Sequence, residues 1–213
     1  MAWTTFVLFG VIALGLVVFV GWRFASRRHN LPCPSWLRWF VELDNPFIRN
    51  IRANVIVEHL GLQPGMRVLD IGCGPGRLSI PIAQSVGPMG NVVAIDIQTK
   101  MLRRAEEKAR EANLNNITFH HVKVGDGNFD LGQFDRAVLV SVLGEIPDRQ
   151  TALQSFFAAL KPGGILSVTE VILDPHFQSR DAVLRLACSV GFREKNFFGN
   201  RFAFSLHLEK PLG

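Results

Sequence analysis

The chain has 213 residues and a net charge of +5, enough for one domain of ordinary size plus a short appendage. Its basic balance comes with no dense Lys/Arg run outside the stretch that follows the first hydrophobic segment, which argues against a nucleic-acid-binding domain and fits attraction to anionic lipid. Cys33, Cys73 and Cys188 are far apart and form no CxxC pair, so neither a disulfide framework nor a metal site is expected, and a reducing compartment is inferred.

Ala2 to Trp22 carries no charged residue. Its apolar run, Phe6 to Val20 with Trp3 and Trp22 at its flanks, is near the ~20 residues that cross a bilayer, with tryptophans where interfacial rings are expected. Arg23, Arg27 and Arg28 follow, and no Lys or Arg precedes the run. A single-pass anchor with its N-terminus outside and the remainder cytoplasmic is therefore expected. A cleaved signal peptide fits less well, because there is no basic leading region and no small-x-small site.

Residues 1–30 are thus read as anchor and basic juxtamembrane segment, 31–60 as a Pro-rich link with a helical lid, and 61–213 as the main domain. Leu31-Pro-Cys-Pro-Ser35 excludes regular helix. Trp36, Trp39, Phe40 and Leu43 then recur at i, i+3, i+4 and i+7, the spacing of a short amphipathic helix ended by Asp44-Asn-Pro46. A second helix is expected from Pro46 to about Leu60, closed by Gly61 and Gln63-Pro-Gly65.

From Met66 short β-rich runs alternate with helical ones. Strands are expected at Arg67–Ile71, Asn91–Asp96, Ile117–Val124, Phe134–Val140 and Gly164–Glu170. Helices are expected at Arg77–Val86, where Pro81 interrupts, at Thr99–Ala112, Arg149–Leu160 and Ser179–Val190, the last capped by Gly191. Alternation of this kind implies an α/β domain, a mostly parallel sheet with helices on both faces. Phe192–Phe198 and Arg201–Leu208, joined by Gly199-Asn200, read as a terminal antiparallel hairpin. His120 and His121 fall on the third strand, one expected to face core and the other solvent.

The sharpest chemical feature is Val68-Leu-Asp-Ile-Gly-Cys-Gly-Pro-Gly-Arg77, a strand running into a glycine turn and a helix. Glycines let the backbone approach a ligand and adopt positive φ. The dinucleotide fingerprint would put its third glycine where Arg77 stands, and no Lys-Ser/Thr follows, so neither a nicotinamide site nor a Walker-type loop is read here. Cys73 reads as packing and not as a nucleophile.

This segment resembles the first motif of the class I, Rossmann-like methyltransferases that depend on S-adenosylmethionine (SAM), matching it from Val68 to Gly76. The likeness continues through Ala94-Ile-Asp96, Gly125-Asp-Gly127, Phe134–Val140 and Leu160-Lys-Pro-Gly-Gly164, in the family's order. It implies SAM as cofactor, held by Asp70, Gly72, Cys73, Gly74, Gly76, Asp96, Ile97, Asp126, Gly127 and Ser141. In the family the acid matched by Asp96 bonds the ribose hydroxyls, and that matched by Asp126 contacts the adenine amino group.

The catalytic group is less legible. Many small-molecule and quinone methyltransferases of this class have a His in the segment after the fourth strand, where Ser141-Val-Leu-Gly-Glu-Ile-Pro-Asp148 has Gly144. The N-P-P-Y-type motif of enzymes that methylate bases or proteins is absent. Glu145, Glu170 and His176 are left as candidate acids or bases. A small-molecule or lipid acceptor is expected (a headgroup, a quinone-like ring or another hydrophobic molecule); the alternatives are methylation of a membrane-bound protein and a non-catalytic SAM-binding regulator.

Overall fold

The structure, a computed structural model, describes residues 48–124 and 132–212 together with 6, 7, 9, 10, 14, 15, 17, 18, 20, 21 and 24–26. Seven strands form one sheet: β1 Arg67–Ile71, β2 Asn91–Asp96, β3 Ile117–His121, β4 Phe134–Val140, β5 Leu160–Val171, β6 Arg193–Asn200 and β7 Ala203–Glu209. Their order is β3-β2-β1-β4-β5-β7-β6. The five central strands are mutually parallel, and β7 runs antiparallel to both β5 and β6. This is the Rossmann-like α/β arrangement, with the expected hairpin at the end of the sheet.

Five helices cover it: α1 Ala53–His59, α2 Ser79–Val86, α3 Thr99–Glu111, α4 Arg149–Ala159 and α5 Arg180–Val190. Side chains alternate across each strand, so successive residues enter different cores. Val68, Val92 and Val138 pack with Ile56 and Leu60 at α1 and with Ile82 and Val86 of α2. Their neighbours Leu69, Val93, Ala137 and Leu139 pack with Leu153 and Phe156 of α4 and Val183 and Ala187 of α5. The apolar runs of the central strands reflect this burial on both faces.

Local chemistry moves several boundaries. α2 begins at Ser79 and not at Arg77, which leaves Pro81 in the first turn, where a missing N–H costs no helical bond. The helix expected from Pro46 is broken among the described residues into a 3-10 turn, Arg49–Ile51, and α1, because Arg52 between them is extended (φ −68°, ψ 143°). β5 starts earlier than expected: the Gly163 N–H donates to the Lys210 carbonyl (2.8 Å) and the Lys210 N–H to that of Gly164 (2.9 Å). The hairpin turns at Arg201-Phe202 and not at Gly199-Asn200. Asn200 makes that turn, its Oδ1 accepting the N–H groups of Phe202 (2.9 Å) and Ala203 (3.2 Å). β3 ends at His121, and both histidines are exposed: His120 shares the exposed face of Thr118, and His121, on the face of Ile117 and Phe119, is the last residue of this edge strand.

Part of the run expected to cross a membrane, the Trp36–Leu43 stripe and the Gly125–Gly127 turn lie outside the described residues. Among the described residues no helix is long and apolar enough to span a bilayer. The described residues between 6 and 26 are helical, and Phe6, Phe9, Leu14, Val17, Val18 and Phe24 are exposed.

Candidate cofactor and acceptor site

All the described site residues gather at the carboxyl edge of the parallel strands, where the strand order reverses between β1 and β4, the place where open α/β sheets bind ligands. β1 ends at Ile71 and the chain enters the glycine turn, with Gly72, Gly74 and Gly76 at φ +66°, +53° and +79°. The Cys73 N–H donates to the Ile95 carbonyl at 3.0 Å and so holds the turn against β2. A Cβ on Gly72 would lie 2.5 Å from a methyl of Val142, and one on Gly76 would lie 3.0 Å from the Ala105 Cβ.

Asp96, the last residue of β2, faces this turn. Its Oδ2 accepts the Gly74 N–H at 2.8 Å and its Oδ1 the Gln98 N–H at 2.7 Å. Burial pushes its pKa above the ordinary carboxylate value, and the amides of Gln98, Gly74 and Ile97 oppose that shift. Each oxygen keeps a lone pair for a further donor. Ile97 beside it is exposed, an apolar face next to a carboxylate. Asp70 lies deeper: its Oδ2 accepts the Ser79 hydroxyl at 2.6 Å, and burial raises its pKa to about 6. It ties the turn to the start of α2. Burial, with Asp70 and Asp96 nearby, pushes the Cys73 thiol well above its usual pKa, which keeps it protonated and a poor nucleophile. Arg77 reaches the other way, donating to the Ile51 carbonyl at 2.9 Å, so the segment before α1 is tied to the glycine turn.

The second half of the site surrounds the ends of β4 and β5. Ser141 has φ +55°, a conformation L residues rarely adopt, and its N–H donates to the Thr169 carbonyl at 2.9 Å. The 3-10 turn Leu143–Glu145 follows, its Leu143 and Gly144 carbonyls accepting from Arg149 (3.2 and 2.8 Å). A Cβ on Gly144 would overlap the carbonyl oxygen of His176. The position where related enzymes have a histidine is therefore a glycine, and the backbone of another histidine presses against it.

Glu145, Glu170 and His176, distant in sequence, are brought together. His176 is buried, and its Nε2 lies 2.9 Å from the Ser26 carbonyl. A carbonyl only accepts, so Nε2 carries the hydrogen, and in the neutral ring Nδ1 presents a lone pair. Nδ1 has no hydrogen-bond partner among the described residues, and Glu145 Oε1 and Asp174 Oδ1 stand 4.0 Å from it. Glu170 is buried, accepts the Gln178 N–H through Oε2 at 3.0 Å, and has no partner for Oε1 among the described residues. Burial raises its pKa to about 8, so at neutral pH it is mostly a protonated acid.

Sequence reasoning missed Ser79, Arg149 and Gln178, whose bonds to the site are short-range but carry no motif, and Val142 and Ser26, which meet Gly72 and His176 from remote parts of the chain. Gly144 carried the one available signal: a family histidine missing from its usual place poses the question of what fills the space.

A glycine turn after β1, an acid closing β2 and a buried polar cluster beyond β4 and β5 define a class of protein: an α/β domain that binds a nucleoside cofactor at its switch point. The comparisons specify it further. The chain belongs to the methyltransferase family described as "Methyltransferase domain", which matches residues 62–198. It is 35% identical over 106 residues to the demethylmenaquinone methyltransferase of Listeria welshimeri, covering 50% of this chain and 45% of that protein. It is 36% identical over 126 residues to the ubiquinone/menaquinone biosynthesis C-methyltransferase UbiE of Vibrio campbellii, covering 57% and 49%. The chain thus spans about half the length of these curated relatives. Among solved structures, a SAM-dependent methyltransferase from Aquifex aeolicus superposes with a TM-score of 0.71 at 20% identity, covering 84% of this chain and all of that one. The magnesium protoporphyrin IX methyltransferase of Synechocystis with bound SAM gives 0.65 at 22%, covering 88% and 95%. These two likenesses bear on the fold.

SAM is the cofactor that goes with this family. The residues present fit it: the turn holds Gly72, Gly74 and Gly76 at positive φ, and a carboxylate with spare lone pairs stands beside an exposed apolar residue.

Proposed function

We propose that the protein is a SAM-dependent methyltransferase whose acceptor is a small hydrophobic molecule, a quinol-like ring above all, drawn from a membrane. The observation that carries this reading is the cluster of Glu145, Glu170 and His176 at the carboxyl edge, beside the cofactor turn. Names of relatives that methylate quinone precursors support the acceptor class.

When bound, SAM supplies a methyl carbon made electrophilic by its sulfonium. Asp96 would accept the ribose hydroxyls, Gly72, Gly74 and Gly76 would allow close backbone approach, and Ile97 would offer an apolar side chain to the base. Asp70, Cys73 and Ser141 would hold the turn and the floor beneath it; Asp126 and Gly127, which the family resemblance adds to the set, lie outside the described residues. His176 Nδ1 takes a phenolic proton from the acceptor, and the two carboxylates 4.0 Å away stabilise the resulting imidazolium. The ring carbon would gain the methyl and lose its own hydrogen as a proton to water, and the imidazolium would return the phenolic proton to the oxygen, so that one proton is released in all. Glu170, kept neutral by burial, offers a proton donor to the acceptor's oxygen.

The first 30 residues hold the enzyme at the bilayer as a single-pass anchor, N-terminus outside and domain cytoplasmic, in line with Arg23, Arg27 and Arg28 after the apolar run. The test is steady-state kinetics of the full chain in lipid vesicles with a prenylated naphthoquinol lacking its ring methyl. We expect turnover that His176→Gln lowers at least ~100-fold, the usual share of a general base, with SAM affinity unchanged. Full turnover by His176→Gln would remove His176 as the base.

A further inference from the structure

Three chain segments that are remote in sequence meet at the acceptor end of the domain, and each carries an apolar side chain exposed there. The loop after β5 carries Ile172 and Leu173, 39% and 56% exposed. The β6–β7 turn carries Phe202, 46% exposed, and the Ile172 N–H donates to the Phe202 carbonyl at 2.7 Å, which fixes the two segments side by side. The Arg201 guanidinium lies 4.6 Å over the Phe202 ring. The third segment is the N-terminal helical stretch. Its Ser26 is buried on His176, three residues beyond Leu173, while Phe24 two residues earlier is exposed.

β5 and the β6–β7 turn put this cluster at the carboxyl edge of the sheet, the edge that holds the acceptor site. The loop from Val171 is also a constrained one: the Asp174 N–H returns to the Val171 carbonyl (2.9 Å) and the His176 N–H to Asp174 Oδ1 (2.6 Å). A fixed loop that holds two aliphatic side chains in water forgoes their burial. Apolar tips with an adjacent arginine suit the interface of a bilayer, where rings and aliphatic chains enter the acyl boundary and a guanidinium meets lipid phosphate.

We infer that Ile172, Leu173 and Phe202, with Arg201 at their rim, form a second membrane-contact surface, which seats the domain on an anionic bilayer with the His176 end of the sheet facing it. The inference rests on the anchor reading above and deepens it. The anchor alone would tether the domain in any orientation; the tip fixes one. Continuity carries the choice of occupant: the stretch with exposed Phe6, Phe9, Leu14, Val17 and Val18 leads to Ser26, and Ser26 docks on the loop that bears the tip. An acceptor dissolved in the bilayer would then reach His176 without crossing water.

The experiment uses the full chain with Cys33→Ser and Cys188→Ser and the buried Cys73 left in place. A nitroxide is attached to a new cysteine at Leu173, Phe202 or, as control, Met89. Met89 precedes β2 and so lies at the opposite edge, 84% exposed. The proteins are bound to vesicles of phosphatidylcholine with and without phosphatidylglycerol. Accessibility to oxygen and to a water-soluble nickel chelate is read by power saturation. We expect oxygen-favoured access at positions 173 and 202 and chelate-favoured access at 89, with stronger contrast when phosphatidylglycerol is present and a weaker one after Arg201→Glu. Labels at 173 and 202 that stay as chelate-accessible as that at 89, on protein that sediments with the vesicles, would overturn the tip while the anchor reading stands. No sedimentation with either vesicle would overturn both.

Discussion

Asp96 Oδ2 accepts the Gly74 N–H at 2.8 Å, so the acid that ends β2 also holds the glycine turn that follows β1. Its other oxygen accepts from Gln98 at 2.7 Å. One side chain thus sets the shape of the cofactor turn and offers lone pairs to the cofactor.

Asp96→Ala should accordingly do two things. It removes the ribose acceptors, each charge-assisted bond contributing roughly 1.5–3 kcal/mol, and it releases the Gly74 and Gln98 amides. SAM affinity by calorimetry should fall at least about ten-fold, with a lower Tm. Asp96→Asn keeps an acceptor for one amide and should lie between the two. Unchanged affinity in Asp96→Ala would remove this residue from the cofactor site.

Gly72→Ala meets both a positive φ and the Val142 methyl at 2.5 Å. Backbone strain and overpacking together should cost about 2–4 kcal/mol. Adding Val142→Ala relieves the overlap and leaves the strain. The double variant should therefore unfold at higher denaturant than Gly72→Ala alone, with SAM affinity partly restored.

Glu170 should give the fold a distinctive response to pH. Its folded pKa of about 8 lies above the ordinary glutamate value of 4.5, so the folded state holds a proton that the unfolded chain has released. Stability conferred by that proton is complete at low pH and is lost as pH rises through about 8. Asp70, raised to about 6, acts in the same sense at lower pH. His207, lowered by burial to about 4, acts in the opposite sense below the ordinary histidine value of 6.5. Between pH 6.5 and 8, then, Glu170 is the one of these three that titrates. One proton over that interval corresponds to about 2 kcal/mol. Denaturant unfolding should show this fall in the wild type, and Glu170→Gln, which still accepts from Gln178, should flatten it.

Gly144→Ala sets a Cβ against the carbonyl oxygen of His176, a backbone atom that cannot swing aside. Either the Leu143–Glu145 turn or the loop through His176 must shift. Methyl transfer should fall sharply while SAM affinity stays near the wild-type value, because the glycine turn lies elsewhere. A parallel loss of both would mean that the whole carboxyl edge had moved.

The parallel core was legible because buried strands read as apolar runs and their intervening helices have local start and stop signals: Ser179 accepts the Ala182 N–H at 3.3 Å, and Gly191 ends α5 at φ +114°. The signals that misled were also local. Gly199-Asn200 looks like a turn pair, yet Gly199 stays in β6, where it passes close to Ala203, and the Asn200 side chain shapes the turn one step later. His120 and His121 were expected to divide between solvent and core; the face of Ile117 and Phe119 does pack on the core, but His121 stands on it as the last residue of the edge strand and is exposed. The acceptor pocket was least legible. Glu145, Glu170 and His176 stood in the sequence as separate candidates, and what joins them (Gly144 against His176, Gln178 on Glu170, Ser26 on His176) depends on contacts spanning up to 150 residues.

The most direct measurement incubates membranes that contain the full chain with methyl-labelled SAM and separates the products into solvent-extracted lipid, protein and water-soluble fractions. The account predicts label in the extracted lipid, on an aromatic ring carbon, and its loss with Asp96→Ala and with His176→Gln. Label confined to protein, or no transfer by a chain that binds SAM normally, would contradict it.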